Sequence, residues 1–296
     1  ELYQEGCPVY AVDADLAGST TTAKLASVAP GHHIDVGIAE QNMIDVAAGL
    51  SLAGNVVFTG SFAVFGTGRV YDQIRNTVCY AQLNVKIAPT HAGISVGPDG
   101  GSHQMLEDVA LMSVLPHMRV LVPADYQSAK QALRIAAQNA GPFYIRLGRA
   151  ALPELYGPAV NLTLGQAQLL RQGRDLTILA MGTEVSFALE AAKVLAQEGI
   201  EAEVIDVFSV KPLDETTILD SVAKTGRVVT VEEHSVRGGL GTIVASLLVL
   251  HPGLLKAPLQ LLGMQDCFGT SGTAEQLFAH FGLDAGGILE AARRLL

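Results

Sequence analysis

Two imidazoles, His91 and His103, frame the glycine-rich run Thr-His-Ala-Gly-Ile-Ser-Val-Gly-Pro-Asp-Gly-Gly-Ser-His-Gln at 90–104, with Asp99 between them. Imidazole and carboxylate side chains grouped on one loop can read hydroxyl groups and move protons near neutral pH. Glu40, in Gly37-Ile38-Ala39-Glu40-Gln41-Asn42, is a candidate acid-base group. Its simpler role is to complement a positive helix N-terminus, worth about 0.3–1 kcal/mol. Phe62 and Phe65, three residues apart, offer flat apolar surface to a ligand or to a plain core. Arg149 closes the run Arg146-Leu147-Gly148-Arg149 and can hold an anion or pair with a surface acid. Asp15 and Ser19 lie in the polar stretch Asp13–Ser19. Each residue alone has a structural reading, as a hydrogen-bonded loop histidine, a turn aspartate before Gly100-Gly101 or a core phenylalanine. Those readings would all have to hold together, which favours chemistry.

The elements that must position these residues alternate short apolar runs with longer amphipathic stretches, the pattern of parallel α/β architecture. Strands are predicted at Val9–Val12, His33–Val36, Val56–Thr59, Val85–Pro89, Arg119–Val122 and Phe143–Arg146. Helices are predicted between them, including Gln41–Leu52, Val70–Ala81 and Tyr126–Asn139. Pro153, Gly157 and Pro158 interrupt the pattern and mark a linker at 156–165. A second series follows, with strands at Leu176–Ala180, Ala202–Val207, Arg227–Val231 and Leu259–Leu262, and helices between and after them. Two doubly wound domains result, 1–155 and 166–296. In open parallel sheets ligands sit beyond the carboxyl ends of the strands. Five loops carrying Asp15, Glu40, Phe62, His91 and Arg149 therefore face one rim.

Composition narrows the class further. Hydrophobic residues make up 49% of the 296 and charged residues 16%, which suits a compact, soluble chain with a large core. A formal net charge of -10 argues against an electrostatic nucleic-acid surface. No segment reaches the roughly 18 apolar residues of a membrane span. Cys7, Cys79 and Cys267 are isolated and lack metal-ligand spacing, as expected of reduced thiols in the cytoplasm. The chain opens at Glu1, almost directly into a strand, so upstream residues are expected.

The runs at 37–42, 90–104 and Gly148-Arg149-Ala150-Ala151-Leu152-Pro153 resemble the pyrimidine-binding domain of the transketolase family. Val231-Glu232-Glu233-His234 and Asp266-Cys267-Phe268-Gly269-Thr270-Ser271-Gly272 are similar to its C-terminal domain. The resemblance runs essentially end to end. It implies a thiamine-diphosphate enzyme that moves a two-carbon ketol unit from a ketose phosphate to an aldose. It also implies that Glu40 bonds a ring nitrogen of the cofactor's aminopyrimidine, where a carboxyl taken out of water holds a proton it can share. Phe62 and Phe65 would pack on that ring, and Asp15 would lie on the cofactor side near a dimer interface. Gly68 stands where many relatives carry a third aromatic, with Tyr71 as the nearest replacement. Ser19, His91 and Arg149 would grip the sugar phosphate, while Asp99 and His103 would read sugar hydroxyls, His103 at the reacting end.

Two-domain thiamine enzymes hold the diphosphate and its metal through a Gly-Asp-Gly run, which this sequence lacks. The resemblance therefore implies the C-terminal half of a split transketolase. A complementary N-terminal-half subunit would supply the ligands for Mg2+ or Ca2+ and diphosphate, in a dimer of such pairs, a heterotetramer. A 2-oxoacid dehydrogenase beta subunit shares the fold and the glutamate, but the paired histidines suit a sugar better. Deoxyxylulose-phosphate synthase is similar around Glu40 but is usually one long chain. A non-catalytic scaffold half would not need Glu40, His91 and His103 intact. A nicotinamide oxidoreductase would need a G-x-G-x-x-G run after the first strand.

Overall fold

A computed structural model describes residues 1–296. Twelve strands form two sheets. The first sheet contains β1 (Val9–Asp13), β2 (His33–Asp35), β3 (Val56–Gly60), β4 (Val85–Ile87), β5 (Arg119–Leu121) and β6 (Phe143–Ile145). The second contains β7 (Gln168–Arg171), β8 (Leu176–Ala180), β9 (Ala202–Asp206), β11 (Val228–Ser235) and β12 (Gln260–Met264). Between β9 and β11 lies β10 (Ser209–Lys211), which crosses over to the first sheet. The strand orders are β10-β5-β6-β4-β3-β1-β2 and β12-β11-β8-β9-β7. All pairings are parallel except β10 with β5 and β7 with β9.

The strands read as near-continuous apolar runs because both sheet faces are covered, as parallel sheets require. Every residue of β3, β4, β6, β8 and β9 is buried. The largest core cluster is continuous between the two sheets, joining Val12, Ile87 and Tyr144 to Leu179, Ile205 and Val228. Lys211 Nζ adds a polar tie, donating to the carbonyl oxygens of Ser113 and Leu115 at 2.7 and 2.5 Å. The segment between β6 and β7 has no helix or strand, yet it is pinned. Asp125 Oδ2 accepts from the backbone of Leu155 and Tyr156 at 2.8 Å each.

Most of the predicted helices are present, among them Glu40–Leu52, Tyr126–Gln138 and Glu184–Gln197. The stretch read as an amphipathic helix at Val70–Ala81 is instead wound as a wider π-helix over Gln73–Cys79. Another π segment spans Val64–Gly68, where the Arg69 N–H donates to Val64 O at 3.4 Å. Gly66 and Gly68 in that segment weaken the tighter α-helical alternative.

Candidate active site

Beneath the rim of the first sheet, buried Asp13 at the end of β1 organises the loop that follows. Its carboxylate accepts from Thr20 Oγ1 (3.2 Å) and Thr22 Oγ1 (2.5 Å), and His33 Nε2 lies 2.9 Å away. Gly60 permits this closeness, because a Cβ there would sit 2.5 Å from Asp13 Oδ1. Asp15 and Ser19, on that loop, are both exposed. Asp15 is in the left-handed region (φ 59°), and its N–H donates to Asp35 Oδ1 at 3.0 Å.

Glu40 is the first residue of the helix after β2 and is buried, with 5% of its surface exposed. Its Oε1 accepts from Arg69 Nη1 at 2.7 Å. The Arg69 guanidinium in turn lies 4.2 Å from the Phe65 ring centre. Phe65 and Phe62 stack at 6.3 Å and 16°, and Phe62 stacks on His91 at 3.8 Å and 20°. His103 meets the edge of Phe65 at 5.5 Å. Acid, aromatic pair and both imidazoles thus form one continuous cluster over the ends of β3 and β4.

His91 is buried in the left-handed region (φ 63°), with Nδ1 2.7 Å from Thr90 Oγ1. Burial first, then the nearby Arg149 charge, pull its pKa below the usual imidazole range, while Asp99 opposes them. His103 Nδ1 lies 2.9 Å from Ser102 Oγ. Arg149 Nη1 donates to Val96 O at 2.6 Å and lies 3.5 Å from Asp99 Oδ2. The cationic end is therefore held against the loop that joins the two imidazoles. Just below it, buried Arg146 donates from Nε to Asp108 Oδ2 at 2.7 Å, and the Tyr144 hydroxyl also donates to Asp108. Burial alone would raise the Asp108 pKa, but Arg146, then His234 and Tyr144, more than offset it and hold the carboxyl below its usual range.

Seven of the nine residues singled out from sequence thus cluster: Glu40, Phe62, Phe65, His91, Asp99, His103 and Arg149. Asp15 and Ser19 share their rim without contacting them. Tyr71, partly buried, packs against the main core. The residue lying over Phe65 is Arg69, which sequence reasoning missed. Its only signal was a lone charge in Gly66-Thr67-Gly68-Arg69. Arg69 lies one residue beyond the π segment that carries Phe65, and such segments are frequent at functional sites.

Residues 1–154 match the family model described as the transketolase pyrimidine binding domain, and residues 165–288 the one for the transketolase C-terminal domain. A putative transketolase C-terminal section from Methanocaldococcus jannaschii is 45% identical over 287 residues, covering 96% of this chain and 88% of that protein. The 6-deoxy-6-sulfo-D-fructose transketolase subunit SqwH of Clostridium sp. (strain MSTE9) is 43% identical, covering 100% of this chain and 91% of that one. A solved structure of a split gene transketolase, described as an inactive beta4 tetramer, superposes with a TM-score of 0.90 at 44% identity. The match covers 100% of this chain and 94% of that one.

Proposed function

The chain belongs to the transketolase family, as the C-terminal subunit of a split, thiamine-diphosphate-dependent enzyme, and on that premise we propose that it supplies the sugar-reading half of the active site. The supporting observation is the continuous cluster from Glu40 through Arg69, Phe65 and Phe62 to His91 and His103, with Arg149 held at Val96 O and Asp99 against the loop that joins the two imidazoles. One end has a buried carboxyl beside stacked aromatic faces, which fits a planar aminopyrimidine with a basic ring nitrogen. The other end has a cation several ångströms removed, which fits the far phosphate of a ketose phosphate. The sulfo-sugar in the Clostridium relative's name also ends in an anion, and Arg149 suits either charge.

When bound, thiamine diphosphate supplies an acidic thiazolium carbon that carries the two-carbon unit. In this reading Glu40 shares a proton with the pyrimidine nitrogen, Phe62 and Phe65 hold the ring's plane, and Asp15 faces the cofactor side. His103 and Asp99 bind sugar hydroxyls near the reacting carbon. His91, Arg149 and Ser19 bind the phosphate. The diphosphate and its Mg2+ or Ca2+ fall to the complementary subunit. Hard-oxygen donors must be grouped to hold such an ion, and in this reading the Gly-Asp-Gly run of the complementary subunit groups them. The tetrameric form of the split-gene relative supports self-association, hence a heterotetramer with the partner. The three cysteines are free, which suits the reducing cytoplasm, and pentose-phosphate-type sugars are the default substrates of this reading.

The test is reconstitution. The chain alone should show no ketol transfer and weak thiamine-diphosphate binding. Mixed with the complementary subunit and Mg2+, it should transfer a ketol unit from a ketose phosphate to an aldose. Turnover by the isolated chain would refute the split-site reading. Decarboxylation of pyruvate without use of ketose phosphates would replace it with the 2-oxoacid dehydrogenase reading.

A further inference from the structure

The C-terminal domain contributes none of the clustered side chains, yet two of its segments press directly on the loop that carries them. The first is the end of β11. There the Glu233 carboxyl reaches across to the first domain, and Oε1 accepts from the Ser95 N–H at 2.5 Å. Gly93 makes this possible, because a Cβ at that position would lie 2.2 Å from Glu233 Cδ. Gly93 is also held at φ +82°, where L side chains are strained. Ser95 is the middle residue of the 3-10 turn Ile94–Val96. The last carbonyl of that turn, Val96 O, is the one that receives Arg149. The backbone of Glu233 is fixed as well, since its carbonyl accepts from Arg146 Nη2 at 2.8 Å.

The second segment is 269–272, from the motif that the sequence set apart without giving it a task. A Cβ on Gly101 would come within 2.7 Å of Gly269 O, and one on Gly100 within 2.5 Å of Ser271 Oγ. Gln104 Nε2 bridges the two sides, donating to Ile94 O at 3.2 Å and to Thr270 O at 2.9 Å. Glycines at 93, 97, 100 and 101 therefore do more than make turns. They let C-terminal-domain atoms lie where side chains would stand.

We propose that Glu233 is a positioning residue for the sugar-binding loop, holding the Ile94–Val96 turn so that Val96 O presents Arg149, and thereby the loop between His91 and His103, to the substrate. This rests on the sugar-phosphate reading above. Glu233 is fully buried beside Glu184, and burial, before any other influence, pushes both carboxyls up. Glutamine matches the side chain in size and keeps an acceptor oxygen for Ser95.

The experiment uses the full chain reconstituted with its complementary subunit. Glu233→Ala should raise KM for a phosphorylated aldose about tenfold, the size expected when one buried donor loses its partner. It should leave kcat within about twofold, because no group at the reacting carbon is touched. Amide hydrogen exchange in the peptide spanning Ser95 should quicken to match, in the chain alone and in the complex. Glu233→Gln should restore both KM and exchange. Glu233→Asp, which draws the acceptor back by one methylene while keeping a carboxyl, should reproduce the KM effect and decides the matter if Glu233→Ala does not fold. Unchanged KM and exchange in Glu233→Ala would overturn the proposal, as would a Glu233→Gln enzyme as impaired as the alanine variant or a loss confined to kcat. If the wild-type complex uses no sugar phosphate, the functional reading has failed instead. Ser95 exchange then still decides whether Glu233 holds the turn.

Discussion

Replacing Glu40 by glutamine separates a catalytic carboxyl from a helix-end acid, because the two roles predict effects of different size on different observables. As a structural group, Glu40 offers its charge to a helix N-terminus, worth about 0.3–1 kcal/mol. It also pairs with Arg69, whose side chain is 46% exposed. An ion pair that open to water contributes at most about 1 kcal/mol, and glutamine keeps an oxygen for Arg69 to bond. The stability loss in Glu40→Gln should therefore stay below about 2 kcal/mol. As an acid-base group, Glu40 would lose the ability to share a proton, a change of roughly 10²–10⁴-fold. That is about 3–5 kcal/mol on the barrier, the larger effect. Hydrogen–deuterium exchange at the thiazolium carbon, measured by quenched-flow NMR on the reconstituted enzyme, reads that step directly. Calorimetric binding of thiamine diphosphate and the melting temperature of the complex serve as controls. A mutant that exchanges at the wild-type rate while melting several degrees lower would refute the catalytic role.

Arg149→Ala should raise KM for a phosphorylated aldose about tenfold, the low end for a charge-assisted contact, because Arg149 is 44% exposed and already shared with Asp99. A non-phosphorylated aldose should be nearly indifferent in the same steady-state assay. His103→Ala should instead lower kcat for both aldoses, since it acts at the reacting end. Asp206→Asn should flatten the pH dependence of thermal stability. Burial, partly offset by the Tyr156 hydroxyl 2.6 Å away, raises Asp206 to about 7, whereas the unfolded carboxyl ionises near 3.8. Between those values the unfolded chain binds fewer protons, so the wild type loses stability as pH rises, by up to about 4 kcal/mol at 1.36 kcal/mol per unit. The mutant-minus-wild-type melting difference should grow in the mutant's favour from pH 4 to 7, and a constant difference would contradict the assignment.

The parallel strands were legible because each is buried on both faces, which leaves an apolar run bounded by turn residues. β8 was read at its observed ends. The two antiparallel strands were not legible. β7 is an edge strand with a mixed, partly exposed pattern, and β10 is three residues long with one apolar side chain, Val210. Its place is fixed by Leu121 and Val120 of β5, nearly ninety positions away in sequence. Loop polarity at strand ends located the cluster from Glu40 to Arg149, because the sheet forces those loops onto one rim.

The contacts that sequence could not place share a cause: each is chosen by a partner remote in the chain. Arg69 carries no periodicity that points to Glu40, and it follows the π-helical turn Val64–Gly68, which the sequence reading left within the loop after the third strand. Glu233 looks like one of several acids at a strand end until Gly93 is seen to lack the atom that would exclude it. The glycines of the histidine loop signal freedom of the backbone when read alone. Packed against Glu233 and residues 269–272, the same glycines let the second domain hold that loop from behind. A substrate-reading loop held from behind by a second domain can bind without first being ordered, and ordering is a cost that flexible loops meet at every binding event.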